Sequence, residues 1–360
     1  MIDDARRHGP WRRATWIALR LVAWAPVTAW CTMAIAWAPR GPDALTWSMA
    51  AGFAALAAFP AFGPMPRLLR ARPARIACTL ALWAAVIGWF WRLPAPAEAR
   101  WQPDVEQAAT VEFDGDLATV SGVRNFRYRT SDTDADERWE ERTYDLTRLR
   151  TVDLFFSFWG PELICHNFVS FGFERPDGSM EQIAVSIEAR KRRGQEYSAV
   201  GGLFRQFTLV YVWADERDVV RVRTNFRGER VHRYRVEATP ENARILFERY
   251  AIETMELGSR PLWYNAVTQN CGIDILRTAW GQGVPLFPSP SMLLNGTWER
   301  QAWEEGRTSP PASFDEMLRT ADITEDAKAA APRDFSAAIR RREVTLRMAP
   351  PSRQPPANAK

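Results

Sequence analysis

Residue types able to do covalent chemistry are scarce in this chain, with four cysteines and three histidines among 360 residues. Two of them stand where a thiol nucleophile and its base could be built. Cys271, in TQNCGIDILRTAW, falls with Asn270 at the expected start of a helix, where unpaired N–H groups and the helix dipole favour an anion and hence the thiolate. His166, in ICHNFVSFGF, opens an alternating run. As a strand, this run puts His166, Phe168, Ser170 and Gly172 on one face and Cys165, Val169, Phe171 and Phe173 on the other. The next run, QIAVSIEAR, turns Ile183, Val185 and Ile187 one way and Ser186, Glu188 and Arg190 the other. Pairing the apolar faces around Pro176-Asp177-Gly178 brings His166 to the side of Ser186 and Glu188. A loop of three or five residues sets one of these two near the histidine. That supplies a base and an acceptor to orient it. Taken singly, a buried inert cysteine and a structural histidine are the plainer readings. A Cys165–Cys271 disulfide is a competing one, and it would take the nucleophile from its base.

Other chemistries have little support. No HExxH, CxxC or tight His/Asp cluster marks a metal site, so no metal is expected. No glycine-rich phosphate loop and no GxSxG elbow is present, and no cofactor is expected. The chain is 25% charged with a formal net charge of +4, and 12% aromatic residues can support a sizeable core, which excludes a disordered chain. Four cysteines are too few for a disulfide scaffold.

The elements that must hold the pair lie in a mixed α/β region. Short alternating segments begin at Val111, and 208–213 with 218–224 read as a hairpin around 214–217. Residues 231–237 alternate again. Thr239-Pro240-Glu241 starts a helix that runs to about Leu257, and a second helix begins near Asn270. Trp159 and Trp213 read as core residues. Arg221, Arg223, Arg233 and Arg235 recur at strand spacing, either as a basic face for lipid headgroups or as an ordinary solvated face.

The first 92 residues differ in kind. Residues 14–37 contain only Arg20 as a charge, and 44–62 and 76–91 contain none. About 17–25 apolar residues cross a bilayer, so three transmembrane helices are expected. Trp16, Trp37, Trp89 and Trp91 lie near segment ends, where indole rings favour the headgroup layer. A cleaved signal peptide is the alternative for the first segment. Arginines 6, 7, 12 and 13, and then 67, 70, 72 and 75, flank one side, against Arg40 alone on the other. Positive-inside bias therefore puts the N-terminus in the cytoplasm and everything after Arg92 outside it. The expected organisation is a membrane anchor over 1–92, a Pro/Ala linker over 93–100, a thiol domain over 101–295, an extension over 296–340 and a disordered tail over 341–360.

The extramembrane part resembles the Lnb N-terminal periplasmic domain family. The resemblance is carried in order by VRNFRYRT (123–130), RTYDL (142–146), VDL (152–154), HNFVSFGF (166–173), SIEAR (186–190), GLFRQF (202–207), DERDVVRVRTN (215–225), RPLWYN (260–265) and NCG (270–272). It spans roughly 100–295. The order of histidine strand, polar strand and Asn-Cys helix is also similar to the permuted papain-like arrangement of NlpC/P60 relatives and lecithin:retinol acyltransferase. The resemblance implies an α+β, permuted papain-like (NlpC/P60-like) domain and a lipoprotein N-acyltransferase. It further implies Cys271 as nucleophile, His166 as base and a third member, for which Glu188 is chosen over Ser186 because a carboxylate better stabilises imidazolium. A phospholipid acyl donor, a lipidated protein N-terminus as acceptor and an inner-membrane location with a periplasmic catalytic domain follow as expectations. Nucleic acid is not an expected partner. An envelope amidase or peptidase of the same fold class and a non-catalytic envelope-binding module are the alternatives. Gly272 stands where the family is expected to carry a small hydroxylated residue.

Overall fold

The computed structural model describes residues 10–38, 41–62, 72–269, 271–280, 294–309 and 313–347. The chain divides into two compact units. One comprises the N-terminal 95 residues together with Ser198–Gln206, and the other comprises the rest.

The first unit contains α1 (Pro10–Trp37), α2 (Ala44–Phe62) and α3 (Arg72–Arg92), one helix for each apolar segment. Indole N–H groups tie them together. Trp24 Nε1 donates to the Ala57 carbonyl at 3.3 Å, and Trp83 Nε1 donates to Thr28 Oγ1 at 3.0 Å. Leu45, Met49, Leu56, Ile76, Leu80 and Trp91 are exposed on this unit. Among the described residues one helix, Pro73–Arg92, is long and apolar enough to cross a membrane, and Ala44–Phe59 is a shorter apolar stretch. The short helix α4 (Ala199–Leu203), capped by Ser198, belongs to this unit. Phe204, which follows it, is buried with Ala34 and Phe90.

The second unit is a mixed α/β domain. Its strands are β1 (Thr110–Asp114), β2 (Leu117–Arg124), β3 (Arg127–Tyr128), β4 (Ala135–Asp136), β5 (Trp139–Asp145), β6 (Leu149–Phe158), β7 (His166–Glu174), β8 (Met180–Arg190), β9 (Thr208–Asp215), β10 (Arg230–Val236), β11 (Thr308–Ser309) and β12 (Thr345–Leu346). The main sheet runs β1-β2-β9-β8-β7-β6-β10-β12-β11, with β5 also on β2, while β3 and β4 pair apart. β2 with β9 and β10 with β12 are parallel, so the sheet is mixed.

Alternation gives the sheet two buried faces. Val152, Leu154, Phe156, Val169, Phe171, Ile183, Val185 and Trp213 line one face. Against it lie α6 (Pro240–Ser259) and α7 (Cys271–Trp280). Phe155, Phe168, Ala184, Val212 and Val231 line the other, beneath α5 (Glu216–Arg221) and residues 323–339. Full burial on both sides explains why β6 to β9 read as nearly continuous apolar runs.

Three expectations are corrected here. Residues 218–224 are not a strand: Asp215 caps α5 and a π-helical turn, Val222–Phe226, follows it. The β-branched run is overridden because Asp218, fully buried, meets Arg124 at 2.9 Å. The four arginines do not form a solvated or headgroup-binding face, since Arg223 and Arg233 are buried as counter-ions. Around fully buried Asp153 stand Arg233 at 2.7 Å, Arg235 at 2.8 Å and Arg340 at 2.7 Å. Burial opposes this carboxylate, yet the three guanidinium groups, Arg340 foremost, hold it down to about 2. Trp213 is buried as expected, but Trp159 is 57% exposed.

The extension and the start of the tail are integral to the second unit. α8 (Trp298–Glu304), α9 (Phe314–Ala321), α10 (Thr324–Ala329) and α11 (Phe335–Ala338) precede β12, which pairs with β10. Residues 348–360 and Asn270 lie outside the described residues.

Candidate active site

The β7–β8 turn sets the register. Arg175–Ser179 closes it, with Gly178 at φ +80° and Asp177 Oδ1 accepting from the Ser179 N–H at 2.9 Å. Five loop residues pair Phe168 with Ser186, and the same register carried on sets Glu188 opposite His166. The ladder stops at Phe168–Ser186, and beyond it the Asn167 N–H points at Cys271 Sγ, 3.5 Å away.

Cys271 is the first residue of α7 and is 8% exposed. The segment before it is pinned to the start of β9: Leu209 N–H donates to Leu262 and Tyr264 N–H to Phe207. Asn265 Oδ1 then accepts from the Val267 and Thr268 N–H groups, turning the chain into the helix.

His166 sits at the mouth of the site, its side chain 15% exposed. Nε2 lies 2.7 Å from Ser186 Oγ, and Ser186 Oγ donates to Glu188 Oε1 at 2.7 Å. The single hydroxyl proton is thus committed to Glu188, so Ser186 accepts the Nε2 proton. Glu188 Oε1 is itself 3.2 Å from Nε2. The sulfur of Cys271 also acts on this imidazole, by charge and by hydrogen bond. Burial opposes the imidazolium, but Glu188 and then Cys271 outweigh it and raise His166 to about 9. Glu188 is held well below the usual carboxylate range, because His166 and Arg223 outweigh its burial. Arg223 Nη2 donates to Glu188 Oε1 at 2.8 Å, and its guanidinium lies 4.9 Å from the centre of the Phe168 ring. All four residues picked out in the sequence therefore meet. Ser186 and Glu188 both engage the histidine, in series rather than as alternatives.

Cys165 turns to the other face and packs with the apolar cluster that includes Cys271. All four cysteines are free, so the competing disulfide is not formed. Burial pushes the Cys165 thiol well up.

Asn295, which no sequence motif marks, also reaches the site. Its Oδ1 accepts from the Cys165 N–H at 3.0 Å. Its Nδ2 donates to the Cys165 carbonyl at 2.8 Å and to Asn167 Oδ1 at 2.6 Å, and lies 3.9 Å from Cys271 Sγ. Gly272 explains the close approach: a Cβ there would stand 3.2 Å from both Asn295 Nδ2 and the Trp298 ring. Gly296 is likewise obligatory, since its Cβ would fall 2.1 Å from the Glu162 carbonyl. Beyond it, Glu299 accepts from Tyr234 Oη at 2.7 Å and sits 2.6 Å from His232 Nδ1, fastening α8 to β10. The loop that Gly296 clamps carries Trp159, Leu163 and Ile164, each more than half exposed, directly before Cys165 and His166.

A thiol at a helix start, an imidazole beside it and a serine–glutamate pair behind the imidazole are the groups that thiol-nucleophile chemistry would need, here on a mixed α/β scaffold. Residues 135–292 match the model of the Lnb N-terminal periplasmic domain, the family that the sequence resembles. This part of the chain is therefore similar to a periplasmic, envelope-related domain. No curated protein and no solved structure matched the chain. Asn295 lies just outside the matched segment.

Proposed function

We propose that the protein is a membrane-anchored thiol acyltransferase, most simply a lipoprotein N-acyltransferase of the permuted papain-like, NlpC/P60-like class. It would work at the periplasmic face of the inner membrane, anchored by three transmembrane helices with the N-terminus in the cytoplasm. The observation that carries the reading is His166 set between the Cys271 sulfur and the Ser186–Glu188 relay. The Cys271 thiolate attacks the ester carbonyl of a phospholipid donor, the C–O bond breaks, and imidazolium protonates the departing alkoxide. The α-amine of a lipidated N-terminal cysteine then attacks the thioester. His166 takes the amine proton and the sulfur leaves as thiolate. The Asn167 N–H lies near enough to the sulfur to receive the developing oxyanion, and a donor of this kind is worth about 3–4 kcal/mol in other enzymes; Asn295, whose two Nδ2 protons go to the Cys165 carbonyl and Asn167 Oδ1, holds that donor in place. The exposed Trp159, Leu163 and Ile164 favour an acyl substrate over a polar peptidoglycan strand.

The test is intact-mass spectrometry of the full chain incubated with phospholipid vesicles and a diacylated lipopeptide. An acyl adduct on wild type that is absent from Cys271→Ala, together with N-acylated lipopeptide, supports the reading. Lipopeptide acylation by Cys271→Ala overturns it.

A further inference from the structure

We infer that the helical unit carries a phospholipid site of its own, with Arg205 as the phosphate ligand and a cleft between α1 and α3 as the acyl slot. The cleft, about 350 Å³, is walled by Pro26, Val27, Trp30, Ile87 and Trp91. Its lining is apolar, and its size falls in the range of about 300–1,000 Å³ usual for small-ligand pockets. Arg205 stands beside it: its guanidinium lies 5.2 Å from the centre of the Trp91 ring and 4.6 Å from that of Phe90.

Two features of Arg205 point to an anionic ligand. It donates to the Leu93 carbonyl at 2.8 Å, which leaves most of its five N–H donors for another acceptor. It forms no ion pair among the described residues, and burial alone disfavours its charge. A half-buried cation without a counter-charge is expensive, and a phosphate would supply that charge with bidentate geometry.

The depth also fits. Trp89, Trp91 and Arg92 close α3 and the exposed Val200 and Leu203 lie on α4, a combination that suits the headgroup layer. A diacyl phospholipid would set its phosphate on Arg205 and run one chain into the cleft. The site does not require Cys271 to be a nucleophile, so its test is separate from that of the acyltransferase.

The test is native mass spectrometry of the full chain released from micelles containing phosphatidylglycerol, phosphatidylethanolamine and diacylglycerol of matched chains. Both phospholipids should be retained about tenfold over diacylglycerol, the worth of one charge-assisted contact. Arg205→Gln should erase that preference while Arg205→Lys keeps most of it. Val27→Trp, which fills the cleft, should lower retention of all three lipids. Equal retention of diacylglycerol by wild type, equal behaviour of the Gln and Lys variants, or unchanged retention by Val27→Trp each overturns the site. Displacement of bound phospholipid by inorganic phosphate alone would also overturn it, since the ligand would then be the free anion.

Discussion

Glu188→Gln tests the electrostatics of the site most directly. Glu188 Oε1 lies 3.2 Å from His166 Nε2, and two unit charges at that distance interact by about 5 kcal/mol at an effective dielectric near 20. Glu188 is 29% exposed, and solvent reduces the interaction to roughly half, or about 2 pH units. His166, raised to about 9 in the native protein, should therefore titrate near its ordinary value in the variant, with burial and Arg223 pulling it lower still. At pH 7.5 the imidazolium fraction would drop from nearly all to about a tenth. Formation of the thioester should slow by at least about tenfold there and recover partly as pH is lowered toward 6. The chain has three histidines, so ¹³C-labelled histidine NMR with His166→Asn for assignment resolves the titration. A His166 midpoint still near 9 in Glu188→Gln would refute the relay and the role given to Glu188.

Ser186→Ala should be milder, since the direct Nε2–Oε1 approach survives; thioester formation should fall about tenfold without the NMR midpoint moving as far as in Glu188→Gln. Asn295→Ala strips partners from Cys165 and Asn167 and should cost about 2 kcal/mol in denaturant melts, with acyl transfer slowed about tenfold as the Asn167 N–H loosens. Gly272→Ser should also impair transfer, by pushing Asn295 Nδ2 off its position, and should cost about 1–3 kcal/mol of stability. Arg340→Met, which breaks the buried Asp153 cluster, should destabilise by about 3–5 kcal/mol at neutral pH. Because the Asp153 carboxyl is depressed to about 2, its contribution is complete above the unfolded value of about 3.9 and lost as pH falls through 2. Acid unfolding of Arg340→Met should therefore begin at higher pH than that of wild type.

The alternation in 166–173 and 183–190 made the central hairpin and its polar face legible, because a turn of fixed length leaves few registers. The start of α7 was legible from NCG alone. The region after β9 was not. Val219, Val220 and Val222 carry strand propensity, and the Asp215 cap with the distant pairing of Asp218 to Arg124 makes the segment helical. The arginines at 223 and 233 were misread for the same reason, since their acids lie 35 and 80 residues away in sequence. Trp159 looked like core because composition alone gives no direction to a side chain. Asn295 carried no local signal beyond Gly296 beside it, and the groups it bonds lie 128 to 130 positions earlier.

During synthesis the strand of His166, Ser186 with Glu188, and Cys271 all emerge before Asn295 does. The chain would hold every residue of the matched segment and still lack the amide that braces Cys165 and Asn167. A protein cut at residue 292 would carry the recognisable domain with a loosened sulfur environment. The surroundings of the Cys271 sulfur are thus complete only once the later residues have closed onto the sheet through Glu299 and β12.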